Sequence, residues 1–365
     1  MNFDRFETRV RREIDEGLLP AVQWAFGLNG EIVSEGALGD CDLNTRFTIF
    51  SSTKALVAST VWTCIAEGSI KIDARVADMI PEFATNGKQD ITIEQVLLHT
   101  AGFPRNGWDM EMATSAGRRE RFAKWKTNWA PGTRYEYHAT TAHWVLAELL
   151  EVATGKNYLD LIEERVTTPL GLPRILGIPE SDSDNIATLV NVGEAMSPDE
   201  LEATFGVREL PATEVTPEAL ISFNEPARRA LGVPGGGGVT TASAYALFYQ
   251  GLLQNDKGIW DDAVLRDATS NVRNNMGDPL FNTPAGRGLG VVIAGDDGKA
   301  SLRGFGKTNT PTTFGHGGAG GQIAWADPES GLSFVYLTNG LDLHMVRQAK
   351  RGVALSSIAA EVLND

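Results

Sequence analysis

The chain has 365 residues, 42% of them hydrophobic, enough for a large core and two subdomains. A formal net charge of -15 argues against nucleic-acid binding, which needs clustered Lys and Arg. The opening stretch has no apolar h-region, no apolar run approaches a membrane span, and Cys41 and Cys64 are too few for a disulfide framework, so a cytoplasmic protein with two core thiols and no membrane partner is expected.

Along the chain, Phe3, Phe6, Val10 and Ile14 recur at helical spacing and predict an amphipathic helix over 3–16. AVQWAFGLNGEIVSEGALG reads as two strands around a turn at Asn29-Gly30. KALVASTVWTCIAEG is an apolar helix closed by Gly68, TIEQVLLHTAGFP a short helix capped by Thr92, and TAHWVLAELLEVATG a buried helix stopped by Gly155. From Glu180 to Glu225 eleven Asp and Glu face one Arg, which predicts an irregular acidic surface segment with short helical pieces, either a lid or substrate-binding wall or a solvated connection. VPGGGGVTTASAYALFYQGLL is a glycine turn entering a helix; LGVVIAG, QIAWADP and LSFVYLTNG read as strands, and a last helix covers roughly 343–363. The order implies an α+β sandwich: an antiparallel sheet flanked by helices and built from both termini (1–75 and 235–365), with a mostly helical domain, 76–234, inserted and carrying the lid-like segment 180–225.

The stretch FSSTKALVAS, 50–59, carries the first chemical signal. A helix cap accounts for one hydroxyl. It leaves Lys54 unexplained, since a charged amine in an apolar segment is costly without partners. Ser51 and Lys54 are three residues apart and share a helix face. Burial and the helix N-terminus both depress an amine pKa, so Lys54 can act as a base toward Ser51, the Ser-x-x-Lys arrangement. Tyr137 stands just before the buried helix; a phenol near a lysine relays protons, whereas a lone aromatic there anchors the helix entry. His316, Gly317 and Gly318 precede a strand, where glycine lets backbone N–H groups approach a ligand. Gly315-x-Gly317-x-x-Gly320 fits the dinucleotide fingerprint in letters only, because a strand rather than a helix follows. PGGGG lacks the Lys-Ser/Thr of a phosphate loop.

With LLHTAGFP, PGTRYEY, PLGLP, GGGGVTTASAYALF and RGLGVV, these stretches resemble, in order and from about residue 20 to 340, the serine β-lactamase and penicillin-binding-protein superfamily, in the branch of class C β-lactamases, DD-peptidases and family VIII carboxylesterases. The resemblance implies a β-lactamase/transpeptidase-like fold, Ser51 as acylated nucleophile, Lys54 as its base and Tyr137 as proton partner. It also implies that His316-Gly317-Gly318 stands for the Lys-Thr-Gly strand motif, with the N–H of Ser51 and one near Gly318 as oxyanion hole.

Two departures bear on substrate. Tyr137-His138-Ala139 replaces Tyr-x-Asn, removing an amide, and a mostly neutral His316 replaces a lysine that would anchor a carboxylate. Both weaken the β-lactam reading and are compatible with an esterase, so a small carboxylic ester is the first expectation, with amide or peptide hydrolysis (aminopeptidase- or amidase-like) next, β-lactamase third, and an inactive ligand-binding relative as the reading from another class. Trp108, Trp125, Trp129 and Trp144 either line an acyl pocket or belong to the core. His138 is expected to support the site and His99 to be a turn residue. No cofactor or metal is expected; the partner is a small ester or amide, and a homo-oligomer is compatible with the sequence.

Overall fold

Asn29 (φ 53) and Gly30 (φ 82) close the hairpin that starts the main sheet in the computed structural model, which describes residues 1–210, 213–279 and 282–364. Both left-handed positions are what a two-residue turn needs to match strand twist. The hairpin strands are β1 (Ala21–Leu28) and β2 (Glu31–Gly39). Two-residue strands β3 (Phe47–Thr48) and β5 (Val239–Thr240) pair with each other, and β4 (Val190–Val192) pairs in parallel with β10 (Gly340–Asp342). The remaining strands are β6 (Val292–Ile293), β7 (Phe314–Gly315), β8 (Ile323–Asp327) and β9 (Leu332–Thr338). The six-stranded sheet runs β2-β1-β9-β8-β7-β6, every pair antiparallel, so its strands come from the two ends of the chain.

Side chains alternate across this sheet. On one face Val22, Trp24, Phe26, Ile323, Trp325 and Phe334 pack against helix α1 (Asp4–Asp15) and the last helix. On the other, Ala21, Ala25, Ala324 and Ala326 let helices come close, and this face joins the larger core. That core holds α2 (Thr53–Ala66), α3 (Thr141–Thr154) and α4 (Ala242–Gln254); the last helix is α5 (Met345–Glu361). Every residue of α2 from Thr53 to Cys64 is buried, as expected of a helix apolar all round.

One expectation is corrected. LGVVIAG gives a strand only at Val292–Ile293, because Gly290 (φ 87) and Gly295 (φ 72) turn the chain out of the ladder on both sides. The acidic segment contains the short helical pieces expected of it, among them the helix Pro198–Phe205, opened by a Ser197–Glu200 capping box, and it also holds β4.

Candidate active site

Ser51 lies in a 3₁₀ turn, Phe50–Ser52, that runs directly into α2. Phe50 has φ 44, an uncommon conformation for an aromatic, held immediately before Ser51. The expected side-chain cap is not made: Ser52, at the N-cap, forms no capping bond. The turn already supplies carbonyls, with Ser52 N–H on Ile49 O and Thr53 N–H on Phe50 O. Thr53 instead donates to Phe50 O at 2.6 Å and accepts from Gly238 N–H at 2.9 Å, tying the turn to the glycine stretch.

Lys54 is fully buried. Its Nζ lies 2.5 Å from Gly235 O, 2.6 Å from Ala139 O and 3.2 Å from Ser51 Oγ. Burial, and next the Arg287 guanidinium, pull its pKa down to about 7. The two carbonyls accept from either form, and a neutral amine has two N–H groups to give them, leaving its lone pair for the Ser51 proton. Glycine is required at 235: a Cβ there would sit 2.9 Å from Ala139 O and 3.4 Å from Nζ. Ala139 lacks the amide of the resembled motif, yet its backbone still holds the lysine.

Tyr137 is in the same cluster, its ring centroid 5.0 Å from Lys54 Nζ and 4.9 Å from the His99 ring. Burial raises its pKa to about 12, opposed by Arg287 and by the Ser51 hydroxyl. That hydroxyl is near enough to ease ionisation, although no bond of good geometry forms and Tyr137 Oη has no hydrogen-bond partner among the described residues.

His138 spends its ring on backbone, with Nε2 accepting from Phe103 N–H at 3.0 Å and Nδ1 2.7 Å from Glu136 O. Its own N–H donates to His99 Nδ1, so the two histidines fix the Tyr137 segment to the 99–103 turn. His99, at φ 58, is the turn residue expected. The rings of His99, His138 and His143 gather within about 6 Å of His99, but no group of metal-binding side chains occurs among the described residues.

His316 is buried against Arg287, with Nε2 3.2 Å from Nη1 and Nδ1 2.7 Å from Gly317 O. Arg287 also donates to Tyr135 Oη at 3.1 and 3.3 Å. A cation therefore stands beside the position where the resembled motif has lysine. Gly318 comes so close to the Ser51 turn that a Cβ would lie 2.3 Å from Ile49 O. Its N–H, however, donates to Gln322 O at 2.9 Å, and it is Ala319 that lines the cleft with Ser51.

Two clefts meet at Ala139 and Glu214. One, of about 160 Å³, holds Ser51 among Phe50, Trp108, Leu220 and Phe223. The other, of about 280 Å³, is lined by Tyr137, Arg105 and Asn106. Of the four tryptophans, Trp108 lines the first cleft, Trp125 and Trp144 are core, and Trp129 carries the Arg134 guanidinium 5.1 Å from its ring. Sequence reasoning missed Arg287 and Glu214. Arg287 opens the RGLGVV stretch, but nothing local says that it folds back on His316. Glu214 is one of eleven acids in its segment, and only the fold singles it out.

The model of the family described as Beta-lactamase matches residues 6–357. The chain is 28% identical over 312 residues to the esterase/beta-lactamase LipL of Mycobacterium tuberculosis, covering 80% of this chain and 69% of that protein. Among solved structures, a penicillin-binding-protein homologue from Caulobacter crescentus superposes with a TM-score of 0.78 at 25% identity, over 98% of both chains. A family VIII carboxylesterase superposes at 0.76 and 25% identity, over 98% of this chain and 97% of that one.

Proposed function

We infer, from the premise that the chain belongs to the Beta-lactamase family of serine hydrolases, that it cleaves a small carboxylic ester through an acyl-enzyme on Ser51. Ser51 Oγ attacks the carbonyl carbon while its proton passes to Lys54. The Ser51 N–H and the N–H of Ala319 receive the developing oxyanion, since that of Gly318 is engaged elsewhere. The tetrahedral adduct collapses as the alcohol leaves, taking a proton relayed from Lys54 through Tyr137. Water then repeats the sequence on the acyl-enzyme and releases the acid. The acyl group rests in the apolar cleft beside Phe50, and the alcohol faces Tyr137.

The observation that carries this reading is the coordination of Lys54 Nζ, with two carbonyls taking its hydrogens and Ser51 Oγ left for its lone pair. The names of the relatives, an esterase/beta-lactamase and a carboxylesterase, favour esters. A second reading, hydrolysis of a substrate bearing a carboxylate such as a β-lactam, draws on Arg287 beside His316.

The test is p-nitrophenyl butyrate turnover by wild type and Ser51→Ala, with nitrocefin alongside. Wild type is expected to exceed Ser51→Ala by roughly a thousandfold or more, and a fluorophosphonate is expected to label Ser51 in mass spectra. Equal rates, or label on another residue, remove Ser51 from the reaction.

A further inference from the structure

Glu214 enters the site from the acidic segment, at the junction of the two clefts. Its carboxylate accepts from Thr140 N–H at 3.0 Å and from the Thr140 hydroxyl at 2.9 Å on both oxygens. It forms no ion pair among the described residues. Burial raises its pKa, opposed by the Thr140 donors and then by Lys54, and Lys54 must be uncharged to act as a base. Arg105 of the Tyr137 cleft is paired with Glu136, so in the working state the part-buried carboxylate lacks a direct ion-pair partner among the described residues, an arrangement that a cationic ligand group would relieve. Arg228, the cation of the acyl cleft, is turned to Trp108, 5.2 Å from its ring, and toward Glu225 at 3.9 Å. Position sets the ligand. Glu214 lines both the cleft that holds Ser51 and the one that holds Tyr137, so a ligand group that meets it belongs near the reacting carbonyl.

We propose that Glu214 selects substrates whose acyl group carries a protonated amine one or two carbons from the scissile carbonyl, that is, amino acid esters or amides. The proposal rests on the Ser51 acyl-enzyme reading and adds a substrate class to it. It also separates Glu214 from a plain cap on α3, because a cap needs only an acceptor whereas selection needs the charge.

The experiment compares alanine methyl ester with methyl isobutyrate, and β-alanine methyl ester with methyl butanoate, each pair isosteric and each rate divided by spontaneous hydrolysis. Wild type is expected to favour the amines by roughly 10- to 100-fold in kcat/KM, and Glu214→Gln, which keeps an acceptor for Thr140, to bring that ratio close to one. The ratio cancels any general loss of activity. Calorimetric binding of alanine methyl ester to Ser51→Ala, with and without Glu214→Gln, reads the same contact without turnover, and is expected to weaken by a similar factor. No amine preference in wild type, an unchanged ratio in Glu214→Gln, or equal binding overturns the proposal. So does dependence on Glu214 for choline butyrate alone, which carries its charge on the alcohol. Loss of Ser51-dependent turnover with the neutral esters would instead sink the acyl-enzyme reading, and the calorimetry would still decide whether Glu214 binds the amine.

Discussion

At the scale of single residues, the site is a problem of keeping one amine uncharged. Burial does most of this and Arg287 adds to it. With a pKa of about 7, Lys54 gains its base form as pH rises, so kcat/KM is expected to climb along a limb centred near pH 7. Removing a neighbouring cation raises a lysine pKa. Arg287→Gln should therefore move that limb to higher pH, with activity several-fold lower at pH 6.5 and recovering toward pH 9; a limb that stays in place refutes the electrostatic role. That Ser51, Lys54 and Tyr137 come together was legible in the sequence because two of them share a helix turn and all lie in motifs of recognisable order. Arg287 and Glu214 were not, because their partners are remote: Tyr135 is 152 positions from Arg287 and Thr140 is 74 from Glu214.

At the scale of elements, what aims Tyr137 and Ala139 is the seating of α3, whose N-terminus follows them. Glu148, fully buried on α3, accepts from Arg118 Nε at 2.8 Å, Arg119 Nε at 2.6 Å and Ser115 Oγ at 2.7 Å, all from the helix Ser115–Lys124. Glu148→Ala leaves the buried Arg118 guanidinium with Glu151 as its remaining carboxylate and is expected to cost about 2–3 kcal/mol in urea unfolding. A loss below ~1 kcal/mol would mean the pair contributes little. The period of apolar residues in TAHWVLAELLEVATG was enough to find the helix, but an acid within it reads the same whether it meets solvent or a buried arginine. Likewise LGVVIAG has the composition of a strand, and the glycine angles that cut it short have no signature in hydrophobicity.

At the scale of the molecule, the sheet separates two cores. Phe6 of α1 packs edge-on against Phe26 and Phe334, with ring centroids 4.9 and 5.2 Å away, on the face opposite α2. Phe6→Ala should lower stability by about 3–5 kcal/mol while leaving kcat per folded molecule at the wild-type value; a changed kcat would show that the far core shapes the site. That both termini build one sheet was legible from the order of strand-like and helical runs, whereas the parallel pairing of β4 with β10 was not, three residues being too few to carry a pattern. The three oxygens around Lys54 Nζ have a last consequence. They belong to residues 3, 85 and 181 positions away along the chain. A chain that has brought only one of these stretches home would lack the burial and the carbonyls that set Lys54 apart. Under the proposed mechanism Ser51 becomes reactive only once all three stretches are in place, so turnover would report intact molecules.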